Sequence, residues 1–390
     1  MMKFPEITHI SQVLGAIEGK DEFFHSEGSP HFDLVDYHLM DSHTFKDDDL
    51  LVAALRRECR GLLFHKDGTV ARRAFHKFFN VGETDETSLD VLDLTQPHIV
   101  LEKLDGSMIA PFISKLDNRV YWASMRGSED YHLMLKARYD GTAYEQMIID
   151  LAARGLTAIF EYCSTENRIV VEYPEPTLTL LAIRGAETGI YSSRPDLEAI
   201  ASEYDVPFVK PLAHSADTIE ALFEEIRFLK NIEGGVVWFE NGVLAKLKGE
   251  WYLHLHKVLS YFKFEKDIAW IILKGDQDDL LGILSDERRN KLITYQDALI
   301  DNLKRVANEC EALAQIIMAK GLSRKDFALS SQKVAPSVKS IFFKNFDNLE
   351  NTDFVKSMFE MALTNTGNQS KWSEFKASLD IDILWEVEDL

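Results

Sequence analysis

The chain has 390 residues, of which 46% are hydrophobic and 11% are aromatic, which is enough apolar material for two or three packed domains. The formal net charge of −21 excludes a uniformly basic nucleic-acid-binding protein, because phosphate contacts favour Lys and Arg. A nucleic-acid partner would therefore need a local basic surface.

The sequence predicts neither a membrane segment nor a disulfide framework. The longest apolar runs, such as residues 269–273, are far too short to cross a bilayer, and no apolar signal sequence is evident. The three cysteines, Cys59, Cys163 and Cys310, fit no zinc or disulfide spacing. We expect buried, reduced thiols in a cytoplasmic protein without a membrane partner.

Short β-like runs separated by turns and helical patterns characterise the N-terminal two thirds of the chain. The β-like runs lie at residues 61–64, 120–123, 158–162, 177–183 and 235–239. The helical patterns lie near residues 131–154, 194–204 and 216–230. Asn241-Gly242 follows the last run and predicts a β-hairpin. This mixture predicts an α+β domain with antiparallel sheets.

The pattern becomes helical after Tyr252. Apolar side chains recur at helical spacing through residues 286–320, and Gly321 then suits a helix C-cap. Ser323 and Asp326 resemble a capping box for the next helix.

Residues 336–380 also have helical periodicity, interrupted by polar breaks. We therefore predict two domains along the chain. The first is the α+β domain at residues 1–258, and the second is an all-helical domain at residues 259–390.

Two stretches are basic although the whole chain is acidic. Residues 56–77 contain seven Lys or Arg, and residues 246–274 contain six lysines. Each is either an ordinary solvated face or part of the local basic surface that a phosphate ligand would need.

A lysine stands between an apolar run and a glycine turn, in the order Glu102-Lys103-Leu104-Asp105-Gly106-Ser107. A lysine just past the end of a strand is exposed but rigidly held. It is a nucleophile only when deprotonated, and desolvation and neighbouring cations lower its ordinary pKa of about 10.4. The alternative is a plain Asp-Gly turn, because such turns are common.

Two further lysines, Lys246 and Lys248, are spaced to share one face of a strand. Their like charges repel unless an anion lies between them, and a triphosphate is such an anion. The alternative is a solvated edge strand that is protected by lysines.

Two carboxylates, Glu161 and Glu233, lie in or beside apolar strands. A carboxylate in such a place needs a cation, a hydroxyl or a metal as its partner. A ribose hydroxyl or hydrated Mg²⁺ would serve, and a plain salt bridge is the alternative.

Together these segments resemble motifs of the covalent nucleotidyltransferase superfamily of ligases and capping enzymes. The resemblance is closer to one branch, the phage tRNA-repair RNA ligases of the ligase 1 type. The similar segments lie at residues 58–61, 77–80, 103–107, 160–162, 167–170, 180–184, 187–189, 233–235 and 246–252.

The resemblance implies a fold and a role for each matching residue. The implied fold is an N-terminal nucleotidyltransferase (ATP-grasp-like ligase) domain with antiparallel sheets, followed by a helical domain that selects the RNA. Lys103 is the implied catalytic nucleophile. The implied ATP- and AMP-binding residues are Glu102, Lys103, Arg60, Lys77, Phe79, Arg126, Glu161, Glu233, Gly234, Lys246 and Lys248. The implied supporting residues are Asp105, Gly106, Ser107 and Tyr252, and the implied metal contacts are Glu161, Glu233 and Asp278.

The implied reaction is ATP-dependent joining of RNA 5′-phosphate and 3′-hydroxyl ends through lysyl-AMP and adenylated RNA. Mg²⁺ is the expected metal, with Mn²⁺ as the alternative. The expected substrate is a broken tRNA in the cytoplasm of a phage-infected bacterial cell. A polynucleotide kinase/phosphatase is implied as the partner that prepares the ends.

One position departs from the family pattern. Arg126 stands before Gly127-Ser128, where the family commonly has Lys. Both side chains are cations, but the planar guanidinium of Arg binds phosphate differently from an ammonium group.

Three other interpretations compete with an RNA ligase. The first is a DNA ligase or a GTP-using capping enzyme, although such proteins usually carry a β-barrel module that no pattern after Tyr252 predicts. The second is a non-catalytic RNA-binding protein that kept the fold. The third is an acidic structural protein in which the motifs arose by chance.

Overall fold

The structure, a computed structural model, describes residues 4–38, 44–165, 169–261, 263–275, 277, 284 and 286–385. The chain divides into two compact units, Met1–Leu253 and His254–Leu390. The predicted metal contact Asp278 and two residues of a family-like segment, Asn167 and Arg168, lie outside the described residues.

The first unit contains short strands and helices in alternation. Its strands are β1 (Phe23–Ser26), β2 (Asp33–Tyr37), β3 (Leu62–Phe64), β4 (Val70–Arg72), β5 (Phe79–Asn80), β6 (His98–Lys103), β7 (Ser107–Ile109), β8 (Phe112–Ile113), β9 (Val120–Tyr121), β10 (Leu156–Cys163), β11 (Thr177–Gly185), β12 (Gly234–Phe239) and β13 (Leu244–Lys248). Its helices are α1 (Ile10–Ile17), α2 (Leu50–Glu58), α3 (Glu129–Tyr139), α4 (Ala143–Ala153), α5 (Arg194–Glu203) and α6 (Ile219–Arg227). A seventh helix, α7 (Glu250–Tyr261), begins in this unit.

The strands form small sheets whose pairing is almost entirely antiparallel. Their strand orders are β1-β2-β3-β4, β11-β10-β7, β5-β13-β12-β6 and β8-β9. Only the pair β5 and β13 is parallel among the paired strands that the structure describes. Asn241-Gly242 turns β12 into β13, as predicted, and Gly242 has the positive φ of 93° that favours glycine.

The sheet β5-β13-β12-β6 has two chemically different faces, because successive side chains in a strand point to opposite sides. Val100, Val237 and Leu247 pack against α6 in an apolar core. The alternate residues, such as Leu101 and Lys246, line a cavity on the other face. Strand alternation therefore places polar side chains on the face of the sheet that borders the cavity, while the opposite face is buried.

Among its described residues, the second unit contains helices and no strand. Its helices after α7 are α8 (Glu265–Lys274), α9 (Asp286–Ala319), α10 (Arg324–Ser330), α11 (Pro336–Asn345), α12 (Phe354–Asn365) and α13 (Gln369–Ser378), with a 3₁₀ turn at Phe346–Asn351. Gly321 follows α9 with a φ of 61°, and Ser323 and Asp326 form the predicted capping box of α10. Both predicted helix-end features are confirmed.

The remaining structural expectations concern thiols and membranes. Cys59, Cys163 and Cys310 are buried and carry no disulfide, as predicted. Among the described residues, no helix is long and apolar enough to cross a membrane.

Candidate active site

A cavity of about 560 Å³ opens on the polar face of the sheet β5-β13-β12-β6 in the first unit. The opposite wall comes from β7, β10 and the segments around Arg60 and Arg126. The sequence-predicted residues that line it are Arg60, Glu102, Lys103, Gly106, Ser107, Arg126, Glu161, Glu233, Lys246 and Lys248. Residues far apart in the chain thus meet around one space.

The strand register brings the predicted lysines together. Gly234 on β12 lies opposite Lys103 on one side and Lys248 on the other. Directly opposed residues point to the same face of a sheet, so both ammonium groups reach the cavity. Lys246 lies two residues before Lys248 and therefore shares that face.

Glu233 connects two of these lysines. Its carboxylate accepts a hydrogen bond from Lys103 Nζ at 2.6 Å and pairs with Lys248 Nζ at 2.9 Å. The Glu233 side chain is only 4% exposed, while those of Lys103 and Lys248 are 24% and 32% exposed. The carboxylate is therefore fixed, and the amines remain accessible from the cavity.

Gly234 is required by the backbone next to that carboxylate. Its φ is 151°, and a Cβ there would overlap the carbonyl oxygen of Leu247. Any other residue would strain the backbone and push β12 away from β13. The glycine thus sets the position of Glu233 against the two lysines.

The turn after Lys103 is held by Asp105, which is 2% exposed. Asp105 Oδ2 accepts hydrogen bonds from the backbone N–H groups of Val170 and Val171 at 2.7 and 2.8 Å. Its Oδ1 accepts a hydrogen bond from the Tyr252 hydroxyl at 2.8 Å. These bonds give the predicted supporting residues Asp105 and Tyr252 a physical task, which is to fix the turn that carries Lys103.

Gly106 allows this turn to lie against β10. A Cβ on Gly106 would overlap the carbonyl oxygen of Tyr162. Ser107 begins β7, and its hydroxyl bonds the Tyr131 hydroxyl at 2.8 Å. The chain therefore passes from one sheet to the other within four residues of Lys103, and both sheets border the cavity.

Glu161 faces the cavity from β10. Burial raises the pKa of its carboxyl group to about 7, although nearby Lys103 acts in the opposite direction. Burial also raises the pKa of Glu102, which lines the same cavity. Partial protonation of Glu161 near neutral pH reduces the negative charge that an incoming phosphate would meet.

The cavity alters the ionisation of Lys246. Burial and the neighbouring cations Arg60, Lys77 and Lys103 lower its pKa to about 7. Its Nζ lies 4.8 Å from the centre of the Phe78 ring. A concentration of like charges of this kind is stabilised by an anion, such as the phosphates of a nucleotide.

Two arginines complete the cationic side of the cavity, and buried Arg72 positions the segments that carry them. The Arg72 guanidinium donates to the carbonyl oxygens of Gly61 at 2.8 Å and Met125 at 2.7 Å. Those residues adjoin Arg60 and Arg126 respectively. The Arg126 side chain pairs with Asp36 at 2.9 Å and remains 55% exposed.

Three predicted binding residues do not line the cavity. Lys77 is 7% exposed and lies over the Phe79 ring at 5.1 Å, while Phe79 itself packs in the N-terminal core. Phe78, and not Phe79, reaches the cavity. Gly234 contributes its backbone position and no side chain.

Several residues that line the cavity were not predicted as site residues from the sequence. Aromatic and aliphatic side chains belong to no polar motif, and only strand alternation next to Lys246 would have indicated some of them. They are Phe75, Phe78, Leu101, Met108, Leu181, Val209, Val236, Trp238 and Leu244. Asp36 and Tyr173, which orient Arg126 and the Lys103 turn, were also missed.

The donor set fits a metal that is shared with a substrate. Among the described residues, no cluster of three or more His, Cys, Asp or Glu side chains is arranged to hold a metal ion. Glu161 and Glu233 nevertheless line one cavity. Mg²⁺ is commonly held by one or two carboxylates together with substrate phosphates, so this pair fits such an ion.

Comparison with known families gives a match over the segment that contains this site. A family model described as "RNA ligase", of the phage T4 type, matches residues 58–268, which is more than half of the chain. Every cavity residue named above lies within that range.

Three curated proteins show the relationship in more detail. "Putative bifunctional polynucleotide kinase/RNA ligase" of Autographa californica nuclear polyhedrosis virus is 31% identical over 254 residues, covering 58% of this chain and 34% of that protein. "Putative RNA ligase" of Thermovibrio ammonificans is 28% identical over 273 residues, covering 65% and 69%. "RNA ligase 1" of bacteriophage TS2126 is 28% identical over 287 residues, covering 69% and 68%. The chain thus matches about a third of the viral protein and about two thirds of the others.

Proposed function

The chain belongs to the phage-type RNA ligase family, and we propose that it joins RNA 5′-phosphate and 3′-hydroxyl ends with ATP at the cavity around Lys103. One observation carries the proposal. The strand register sets Lys103 and Lys248 on either side of Gly234, with Lys246 beside them on one cavity face. A lysine nucleophile surrounded by cations is suited to attack a phosphate group.

In the first step the neutral Lys103 amine attacks the α-phosphorus of ATP. A nitrogen–phosphorus bond forms, the bond to the β-phosphate oxygen breaks, and pyrophosphate leaves. Glu233 Oε2, 2.6 Å from Lys103 Nζ, orients the amine and is within reach of its proton. Lys246 and Lys248 offset the charge that develops on the phosphate oxygens.

The second and third steps transfer the AMP and then release it. An oxygen of the RNA 5′-phosphate bonds to the AMP phosphorus while the bond to Lys103 breaks, and the departing amine takes up a proton from water. The RNA 3′-hydroxyl then attacks the activated 5′-phosphorus and loses its proton to solvent as AMP leaves. The result is a new phosphodiester bond.

A divalent metal, Mg²⁺ or Mn²⁺, would supply charge neutralisation at the phosphate oxygens when bound. Glu161 and Glu233 are the described residues that would hold it together with the nucleotide. Their carboxylates face the cavity that also contains Lys103, so one ligand can meet all three.

The proposal extends to the RNA and its origin. The helical domain at residues 259–390 selects the RNA, and a broken tRNA in the cytoplasm of a phage-infected cell is the proposed substrate. The name of the viral relative combines a polynucleotide kinase with an RNA ligase. We propose that a separate kinase/phosphatase prepares the ends for this chain.

Joining of a labelled RNA tests the proposed activity. The full chain is incubated with ATP and Mg²⁺ and a single strand that carries a 5′-phosphate and a 3′-hydroxyl. We expect joined or circular product with the native protein and with Lys230→Ala, whose side chain is exposed and outside the cavity. Lys103→Ala should give none. Product formed with GTP but not ATP, or from nicked DNA but not RNA, would contradict the proposal.

A substrate comparison tests the tRNA component. We expect a cleaved anticodon stem-loop to be joined at a lower concentration than a linear RNA with identical ends. Removal of residues 259–390 should reduce that preference while self-adenylation persists. Equal preference before and after the deletion would count against selection by the helical domain.

A further inference from the structure

An aromatic surface occupies one side of the active-site cavity and has no part in the mechanism above. We define the aromatic corner as Phe75, Phe78 and Trp238, all of which line the cavity and are partly exposed. The Phe75 ring lies 5.8 Å from Phe78 and 6.2 Å from Trp238, each at an interplanar angle of 67°. The Tyr191 ring packs against this aromatic corner, and its centre is 5.0 Å from that of the Trp238 ring.

The corner adjoins two cations. Lys246 Nζ is 4.8 Å from the centre of the Phe78 ring, and the Arg60 guanidinium is 5.9 Å from it. Aromatic faces beside Lys or Arg are the usual elements of a site for single-stranded nucleic acid, because bases stack on the rings while phosphates meet the cations.

A second apolar surface borders the same cavity. We define the aliphatic slot as Leu101, Leu181, Val209 and Val236, which also line the cavity. Leu101 is on β6 and pairs with Val236, and the Val209 N–H bonds the carbonyl oxygen of Leu180 next to Leu181. The slot is therefore on the β6 side, whereas Phe78 directly precedes β5 at the opposite edge of the sheet.

The two surfaces meet on β12, where Val236 and Trp238 lie two residues apart on one face, but they lie at different distances from Lys103. ATP has a single base, so it can occupy only one of them. Leu101 is two residues from Lys103 on the same strand face, about 7 Å away, whereas Trp238 is four residues beyond Gly234, about 13 Å along β12.

This difference assigns adenine to the aliphatic slot. Lys103 must reach the α-phosphorus, which is one ribose away from the base, and the slot is the surface next to Lys103. The aromatic corner is then free during catalysis for another base. Lys246 lies between the corner and Lys103, where a terminal phosphate attached to that second base would be held.

We propose that the aromatic corner stacks the terminal base of the 5′-phosphorylated RNA strand, while Lys246 and Arg60 direct its phosphate towards Lys103. This inference rests on the proposed ligase function and specifies where that substrate binds. It predicts a preference for RNA ends that have an intact terminal base, irrespective of base identity, because every base has a stacking face.

A double-mutant cycle between protein and RNA tests the inference. Full-length protein, pre-incubated with ATP and Mg²⁺, is titrated into a short 5′-phosphorylated, 3′-fluorescent RNA whose first nucleotide is normal or abasic. For the native protein we expect loss of the base to weaken binding by about 10- to 100-fold. Trp238→Leu should weaken binding of the normal RNA by a similar factor. It should weaken binding of the abasic RNA only slightly.

Two additional variants keep the test interpretable. Phe75→Leu provides a second member of the corner if Trp238→Leu does not fold. Phe228→Leu removes a ring of the first unit that is 68% exposed and outside the cavity, so it should keep the native preference for the intact base.

Equal binding of normal and abasic RNA to the native protein would overturn the inference. It would also be overturned if Trp238→Leu retained the full preference while raising the ATP concentration needed for self-adenylation, because adenine would then occupy the corner. RNA binding is measured separately from adenylation. A native protein that gains no AMP contradicts the proposed function, whereas absence of base coupling contradicts only this assignment.

Discussion

Glu58 and Glu233 are both buried carboxylates that meet two cations, but their surroundings differ. Glu58 bonds the guanidinium groups of Arg73 and Arg184 at 2.8 to 2.9 Å, and all three side chains are at most 2% exposed. Glu233 meets two lysines that are a quarter to a third exposed. The first cluster is closed to ligands, and the second opens into the cavity.

The choice of cation explains why one cluster is rigid and the other can contact a ligand. A planar guanidinium forms several fixed hydrogen bonds, whereas a lysine amine rotates on a flexible stem and can change partners. The Glu58 cluster fixes the segment that leads to Arg60, two residues later. Glu233 fixes the positions of the Lys103 and Lys248 amines but leaves both amines accessible from the cavity.

The largest expected effect on stability is that of Glu58→Gln. It would leave two buried guanidinium groups without their carboxylate, and breaking such a buried pair costs about 3–5 kcal/mol. Glu233→Gln should cost about 1 kcal/mol or less, because its lysines can turn to water. Chemical denaturation of both variants measures the contrast, and equal losses would remove the proposed distinction.

The same cluster predicts an acid dependence of stability. Despite the opposing effect of burial, Arg184 and Arg73 lower the pKa of Glu58 from 4.5 to about 2. A lowered carboxyl pKa stabilises the folded state above the ordinary pKa, and this stabilisation is lost as the pH falls from 4.5 towards about 2. Glu58→Gln should lack this component of the acid transition, while Glu233→Gln should retain it.

Two adjacent glycines beside Glu233, Gly234 and Gly235, should respond differently to substitution by alanine. Gly234→Ala requires a strained φ and overlaps the backbone of β13, so we expect a loss of about 2–3 kcal/mol together with loss of adenylation. Gly235→Ala has no positive φ and meets side-chain atoms instead of backbone, beginning with the terminal methyl of Ile226, and should cost less. Denaturation and adenylation assays on both variants test this. A larger defect in Gly235→Ala would contradict the role given to Gly234.

The smallest expected effect is the pH dependence of metal-free ATP binding. Burial brings the pKa of both Glu161 and Lys246 to about 7. As the pH falls through 7, Lys246 gains its charge and Glu161 loses its charge, so anion binding should become stronger. We expect about a tenfold increase in affinity between about pH 8 and pH 6.

Calorimetric titration of ATP in the presence of a chelator measures this dependence. The double variant Glu161→Gln, Lys246→Arg keeps the charge of the cavity constant and should flatten the profile. Weaker binding at lower pH in the native protein would show that other groups control the site.

Much of the fold was predictable because turns, caps and helical periodicity depend on residues that are close together in the sequence. The sheet topology confirms the predicted α+β domain with antiparallel sheets, and the described part of the second unit is helical as predicted. The hairpin at Asn241-Gly242 and the cap at Ser323 follow from neighbouring residues. The resemblance of several segments to RNA ligase motifs indicated the family, and the family comparison confirms it.

The details of the site were less predictable because they depend on contacts between distant residues. Period-two alternation indicated that Lys246 and Lys248 share a face, but no local rule pairs Gly234 with Lys103, 131 positions earlier. The resemblance implied Phe79, whereas Phe78 lines the cavity, because the parallel pairing of the two-residue strand β5 with β13 decides which ring faces it. The predicted roles of the site residues stay predictions.

The position of the AMP adduct on the protein tests whether Lys103 is the nucleophile. The full chain is incubated with ATP and Mg²⁺, its intact mass is measured, and the adduct is assigned by fragmentation of the peptide that contains residues 98–109. We predict a mass increase of one AMP, carried by Lys103 and absent from Lys103→Ala. An adduct on Lys246 or Lys248, or an equal adduct on Lys103→Ala, would contradict the assignment of Lys103 as the nucleophile.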